Sequence, residues 1–148
     1  MTDALYNKEI LRLAAAIPFA ERLEHAQASA EKRSPICGSR VTVDLDLGED
    51  GRVARVGMLV RACALGQASS ALMAARVVGR TPEELAAVRD ALTAWLAGET
   101  DAVPDWAGLE LFTPALAHSA RHPSIRLAFE AAAEAAALAR AGAAERAA

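Results

Sequence analysis

Two cysteines and one histidine carry the chemistry that this sequence offers. Cys37 lies in Ser34-Pro35-Ile36-Cys37-Gly38-Ser39, a Pro/Gly turn directly before a strand pattern. Gly38 lets the backbone there take positive φ or come close to a ligand. Cys63 ends a returning strand pattern and precedes a helical one. Thiolate is the form that ligates metal or attacks sulfur, and the unpaired N–H groups of a helix's first turn favour it. His122, in Arg121-His122-Pro123-Ser124, precedes a proline, which biases it towards extended backbone, and stands just before the last helical pattern. A neutral imidazole at that place suits metal ligation. Each residue also has a plain structural reading. Free cysteine often fills a core. A histidine in such a loop is commonly solvated, and His118 and His25 are expected to be so. Cys37 and Cys63 match no Cys-x-x-Cys metal pattern, so their placement carries the signal rather than their spacing.

The elements that must position these side chains are clearest in the middle of the chain. Val41, Val43, Leu45 and Leu47 alternate with Thr42, Asp44 and Asp46, the period of a strand with one wet face. Gly48-Glu49-Asp50-Gly51 is a turn, and Arg52 to Arg61 returns as the partner strand. In such a hairpin the residue before the first strand and the residue after the second share one end, so Cys37 and Cys63 are expected to be neighbours. A metal held by both requires their sulfurs within one ligand span, given metal–sulfur bonds of about 2.3 Å. An isolated hairpin is marginal, so a third strand, expected as an edge strand around Gln27 to Arg33, and helices must cover it.

Helical patterns flank the hairpin. The first runs from about Asp3 to Ala16, with Thr2 or Asp3 as N-cap, and stops before Pro18. Another covers Gln67 to Val78 and stops at Gly79. Thr81-Pro82-Glu83-Glu84 is a capping box with proline at N1, opening a helix to about Ala97. After a loop and a short apolar segment from Trp106 to Phe112, Ser124 is the expected cap of an alanine-rich final helix, fraying from about Ala141. The order predicts one α+β domain over residues 1–148: a small antiparallel sheet of about three strands with helices packed on one face.

Composition sets the outer limits. The chain has 148 residues, 53% of them hydrophobic and 24% charged, the balance of one folded domain. Its formal charge is −3, weak and of the wrong sign for a general nucleic-acid binder. Aromatics are only 4%, so the core must be made of small residues and closely packed helices. No apolar run is long enough to span a bilayer, and the N-terminus lacks a signal peptide's basic region, so a cytoplasmic chain with reduced thiols is expected.

Pro35-Ile36-Cys37-Gly38 before a strand, then a hairpin, then Cys63-Ala64-Leu65-Gly66-Gln67-Ala68-Ser69-Ser70-Ala71-Leu72-Met73 opening a helix, resembles the iron–sulfur cluster assembly scaffolds of the IscU, SufU and NifU N-terminal type. Leu5-Tyr6 and Val78-Gly79 fit the same pattern, and the resemblance covers residues 5–132 in order. Ser39 stands where the family has aspartate, and Arg61-Ala62 replaces its glycine-rich approach to the second cysteine. Ser124 aligns with the family's third cysteine. The resemblance implies an IscU-like fold and a scaffold that is not an enzyme. It further implies a transient iron–sulfur cluster, iron or zinc on Cys37 and Cys63, with His122 as substitute third ligand. Implied partners are a cysteine desulfurase and iron–sulfur acceptor proteins, with no nucleic acid and no membrane. Two other readings stay open on this fold: a persulfide acceptor or regulatory binding module, and a degenerate homologue whose small-residue helices mediate homo-oligomerisation.

Overall fold

Alternation of Val41, Val43 and Leu45 with Thr42, Asp44 and Asp46 builds the central strand, with the apolar set fully buried. The computed structural model describes residues 4–35 and 38–147. Strands β1 (Ala28–Arg33), β2 (Arg40–Leu47) and β3 (Val53–Arg61) form one antiparallel sheet in the order β1-β2-β3. The β2–β3 turn closes where Gly51 takes φ +77° and its N–H meets the Gly48 carbonyl. Helices α1 (Lys8–Ala14), α2 (Ala64–Arg76), α3 (Pro82–Leu96) and α4 (His122–Ala147) complete the fold, with a 3₁₀ segment over Leu109–Ala117. The α+β class with helices against a small sheet is as the sequence predicts, and the expected edge strand is β1.

Helix α4 is the centre of the molecule. It packs on β1 and β2 with one side and on α2 and α3 with others, while α1 packs on α2. Ala128, Ala131, Ala132, Ala135 and Ala136 are buried at its contacts. A helix buried nearly all round needs such small residues, because its neighbours then approach closely on every side. Larger anchors are few: Phe129 meets Trp106 edge to face at 5.3 Å, and the Trp106 indole N–H donates to the Leu72 carbonyl at 2.8 Å.

Three helices differ from the sequence reading at their boundaries. The proposed caps Thr2 and Asp3 lie outside the described residues; α1 starts at Lys8, where the Asn7 side chain accepts from the Ile10 N–H. Helix α2 begins at Ala64, three residues before Gln67, because Gly66 serves a close contact rather than breaking the helix. Helix α4 begins at His122, so Ser124 sits buried in its first turn instead of capping it, and the helix continues past Ala141 through Ala147. The capping box at Thr81 and Glu84 forms as expected.

The sheet's other face is covered by the connection between α1 and β1. Asp44, only 1% exposed, points out of that face and accepts four hydrogen bonds. Arg22 donates twice, at 2.6 and 3.0 Å, the Ser29 hydroxyl at 2.6 Å and the Leu23 backbone N–H at 3.0 Å. Burial pushes the Asp44 carboxyl up, but Arg22, Ser29 and the Leu23 N–H together outweigh it and hold it below the usual carboxylate range. Gly57 faces Asp44 across β3, and a Cβ there would collide with the Glu21 carbonyl, so only glycine lets the segment cross.

A carboxylate held below its unfolded value stabilises the fold above about pH 4, and that contribution is lost as pH falls through the folded value. Arg22 is half exposed and can return to water, so Asp44→Asn should cost about 1–3 kcal/mol at pH 7. Urea unfolding from pH 7 to pH 3 should show a smaller acid loss in the variant than in the wild type. Parallel pH profiles would contradict this role for Asp44.

Candidate functional site

Strand register brings the cysteine-bearing segments to one end of the sheet. Arg40 pairs with Arg33 on one side and with Arg61 on the other. The β1–β2 connection and the residues that follow β3 therefore meet at that end. The connection is tight: the Ser34 N–H donates to the Ser39 carbonyl at 2.8 Å, and the Gly38 N–H to the Ser34 carbonyl at 3.2 Å, with Gly38 at φ +74°. Cys37 itself lies outside the described residues, and so does its expected approach to Cys63. Ser39 is buried beside this turn.

Cys63 is the N-cap of α2, with extended backbone at φ −67° and ψ 172°. Serine, threonine, aspartate and asparagine are favoured at such a position because their oxygens accept first-turn N–H groups. The Cys63 side chain makes no such bond, and the thiol is free and half-buried. Cys63 thus makes no capping bond and packs only partly against the core, at the electropositive start of a 13-residue helix, a setting that favours thiolate.

The start of α4 lies against the start of α2. A Cβ on Gly66 would stand 2.7 Å from the Ala62 Cβ and 3.3 Å from the Ser124 carbonyl oxygen, so the two helices touch through glycine in the first turn of α2. One turn further on, the buried Ser69 hydroxyl donates to the Ile125 carbonyl at 2.6 Å. That bond ties α4 to α2 and satisfies a carbonyl near the beginning of α4. The Ser69 role was missed in the sequence, where it reads as one polar residue among many small ones; its signal is a serine at a buried helical position.

His122 departs from its expected setting. It is helical, at φ −59° and ψ −43°, and 7% exposed, whereas its place before proline predicts extended backbone. The 3₁₀ turn Ser119–Arg121 leads directly into α4 and fixes this conformation. Its Nε2 lies 2.9 Å from the Ala115 carbonyl oxygen. A carbonyl can only accept, so Nε2 carries the proton, and in the neutral ring the lone pair is on Nδ1. A ring nitrogen that donates to a backbone carbonyl is the usual support of a metal-ligating histidine. Among the described residues no group of three or more histidine, cysteine, aspartate or glutamate side chains stands together as a metal site. His118 and His25 are exposed, as expected.

No family model matches the sequence. The iron–sulfur cluster assembly scaffold protein IscU of Thermotoga maritima is 32% identical over 81 residues, which is 55% of this chain and 56% of that protein. The chain thus matches little more than half the length of that curated relative. A nitrogen-fixing NifU-like protein (N-terminal) from Brucella abortus superposes with a TM-score of 0.87 at 38% identity, covering 94% of this chain and 96% of that one. A protein of Fervidobacterium islandicum AW-1, described as a candidate cluster assembly scaffold for the SUF system, shares the fold with a TM-score of 0.77 at 18% identity, over 92% and 99% of the two chains.

The helix contact generates a test. Gly66→Ala must move the Ala62 segment or α4, and overpacking of that size costs about 1–3 kcal/mol. Thermal melting of the variant should shift down by several degrees. An unchanged melting temperature would show that the two helix starts do not touch as described.

Proposed function

Because the chain belongs to the IscU/NifU-type family of iron–sulfur cluster assembly scaffolds, we propose that it holds iron, zinc or a nascent cluster as cargo between the starts of α2 and α4. Cys63 and Cys37 act as thiolate ligands and His122 binds through Nδ1. The cargo, assembled with sulfur from a cysteine desulfurase, then passes to acceptor proteins. The observation that supports this reading best is the convergence at one end of the sheet. There α2, which starts at a free thiol, meets α4 through Gly66 and Ser124, and the histidine that opens α4 is buried with its Nε2–H committed to Ala115. No group is needed to make or break a covalent bond on a carbon substrate, so the role is a scaffold's rather than an enzyme's.

Soft sulfur donors hold iron–sulfur clusters, and this chain has only two cysteines, with Ser39 and Ser124 at the other ligand positions of the family pattern. A site short of thiolates binds weakly, which suits cargo that must leave. Zinc taken up by the protein should be stripped by an ordinary chelator in minutes; stoichiometric metal surviving strong chelation would mean that further ligands exist.

Anaerobic reconstitution with iron and sulfide, followed by visible absorbance and metal analysis, tests the ligand set. Wild type should take up both, and Cys63→Ser should lose nearly all of it. His122→Ala is a poor probe, because it also leaves the Ala115 carbonyl without its donor at a cost of about 1–2 kcal/mol. His122→Gln can keep that hydrogen bond and should bind several-fold less metal at an unchanged melting temperature. Wild-type retention in His122→Gln would remove the histidine from the ligand set. Sulfur accepted on Cys63 with no metal bound under any condition would favour the persulfide-acceptor role instead.

A further inference from the structure

Direct partners across an antiparallel pair point to the same face of the sheet. Arg33 stands opposite Arg40, and Arg40 opposite Arg61, so three arginines form one row across all three strands. Arg40 alternates with Val41 and shares the face of Thr42, Asp44 and Asp46, the face turned away from α4. Like charges placed directly opposite one another destabilise a sheet. Elsewhere on this face the cations are matched: Arg22 meets Asp44 at 2.6 Å and Arg55 meets Asp46 at 3.1 Å. Within the row Arg33 meets Glu31 at 2.7 Å, and that carboxylate also accepts from Thr42. Among the described residues Arg40 and Arg61 make no ion pair. The row is not a by-product of general basicity, since the chain carries a formal charge of −3.

We propose that the row Arg33–Arg40–Arg61 docks an acidic patch of the protein that delivers sulfur to Cys63. The inference rests on the scaffold reading above. Arg61 stands two residues before Cys63, and two residues span at most about 7 Å, so a partner seated on the row has its reactive group beside the thiol. Guanidinium suits the task because its planar fork matches a carboxylate with two parallel hydrogen bonds. A nucleic acid fits less well, because the next rows of the same face carry Glu31, Asp44 and Asp46, which would repel a continuous phosphate backbone. Attraction of this exposed kind speeds encounter and weakens with salt.

Fluorescence anisotropy with a labelled oligoglutamate peptide and the full chain tests the assignment. Wild type should bind the peptide at low salt and lose it at physiological salt. The double variant Arg40→Gln/Arg61→Gln should bind about tenfold more weakly. Arg146→Gln, at the far end of α4, should bind as wild type does. Relief of like-charge repulsion should leave the double variant melting no lower than wild type. Wild-type peptide affinity in the double variant, an equal loss in Arg146→Gln, or a lowered melting temperature would each overturn the proposal. Tighter binding of a single-stranded oligonucleotide than of the peptide would overturn it too. Zinc uptake separates this proposal from the scaffold reading: Cys63→Ser should lose zinc and keep the peptide, and the double arginine variant should do the reverse.

Discussion

Gly66 of α2 and Ser124 of α4 meet with no side chain between them, and the rest of the candidate site depends on that approach. Any larger residue at Gly66 would push the α4 start away from the α2 start. The Ser69 hydroxyl, bonded to the Ile125 carbonyl at 2.6 Å, locks the same pair of helices one turn deeper. A buried serine bonded to a carbonyl has no freedom to slide, so the relative height of the two helix starts is fixed as well as their distance. Position at this end of the molecule is therefore set by backbone contacts rather than by the ligating side chains themselves.

The same economy of size runs through α4. Alanines at its buried positions allow sheet and helices to close on it from several sides, which explains a folded core in a chain with 4% aromatics. The sheet in turn is held from its outer side by Asp44, whose four hydrogen bonds staple the α1–β1 connection across the wet face. With the sheet clamped between that connection and α4, the Arg40–Arg61 pairing places the β1–β2 connection beside the end of β3. Cys63 can then remain an unbonded thiol at a helix start, and His122 can keep one ring nitrogen committed and the other available.

Much of this was legible in the residues. The period-two alternation of Val41 to Leu47 read as the central strand, the Gly48–Gly51 turn as a hairpin, and Thr81 to Glu84 as a helix start, because each rests on local chemistry. Positions decided by tertiary contact did not read correctly. The helical pattern read from Gln67 missed the first three residues of α2, where packing against Ser124 makes glycine necessary at position 66. Proline at 123 suggests an extended His122, but the preceding 3₁₀ turn and the Ala115 carbonyl hold it helical. The arginine row was invisible until register placed residues 33, 40 and 61 side by side.

The central claim is that thiolate and imidazole meet on one metal ion at the joined helix starts. X-ray absorption at the zinc edge of the zinc-loaded protein reads that ligand shell directly. Two sulfur ligands at about 2.3 Å and at least one nitrogen at about 2.0–2.1 Å are expected. A shell of oxygen and nitrogen without sulfur, or with a sulfur contribution that survives Cys63→Ser unchanged, would contradict that claim.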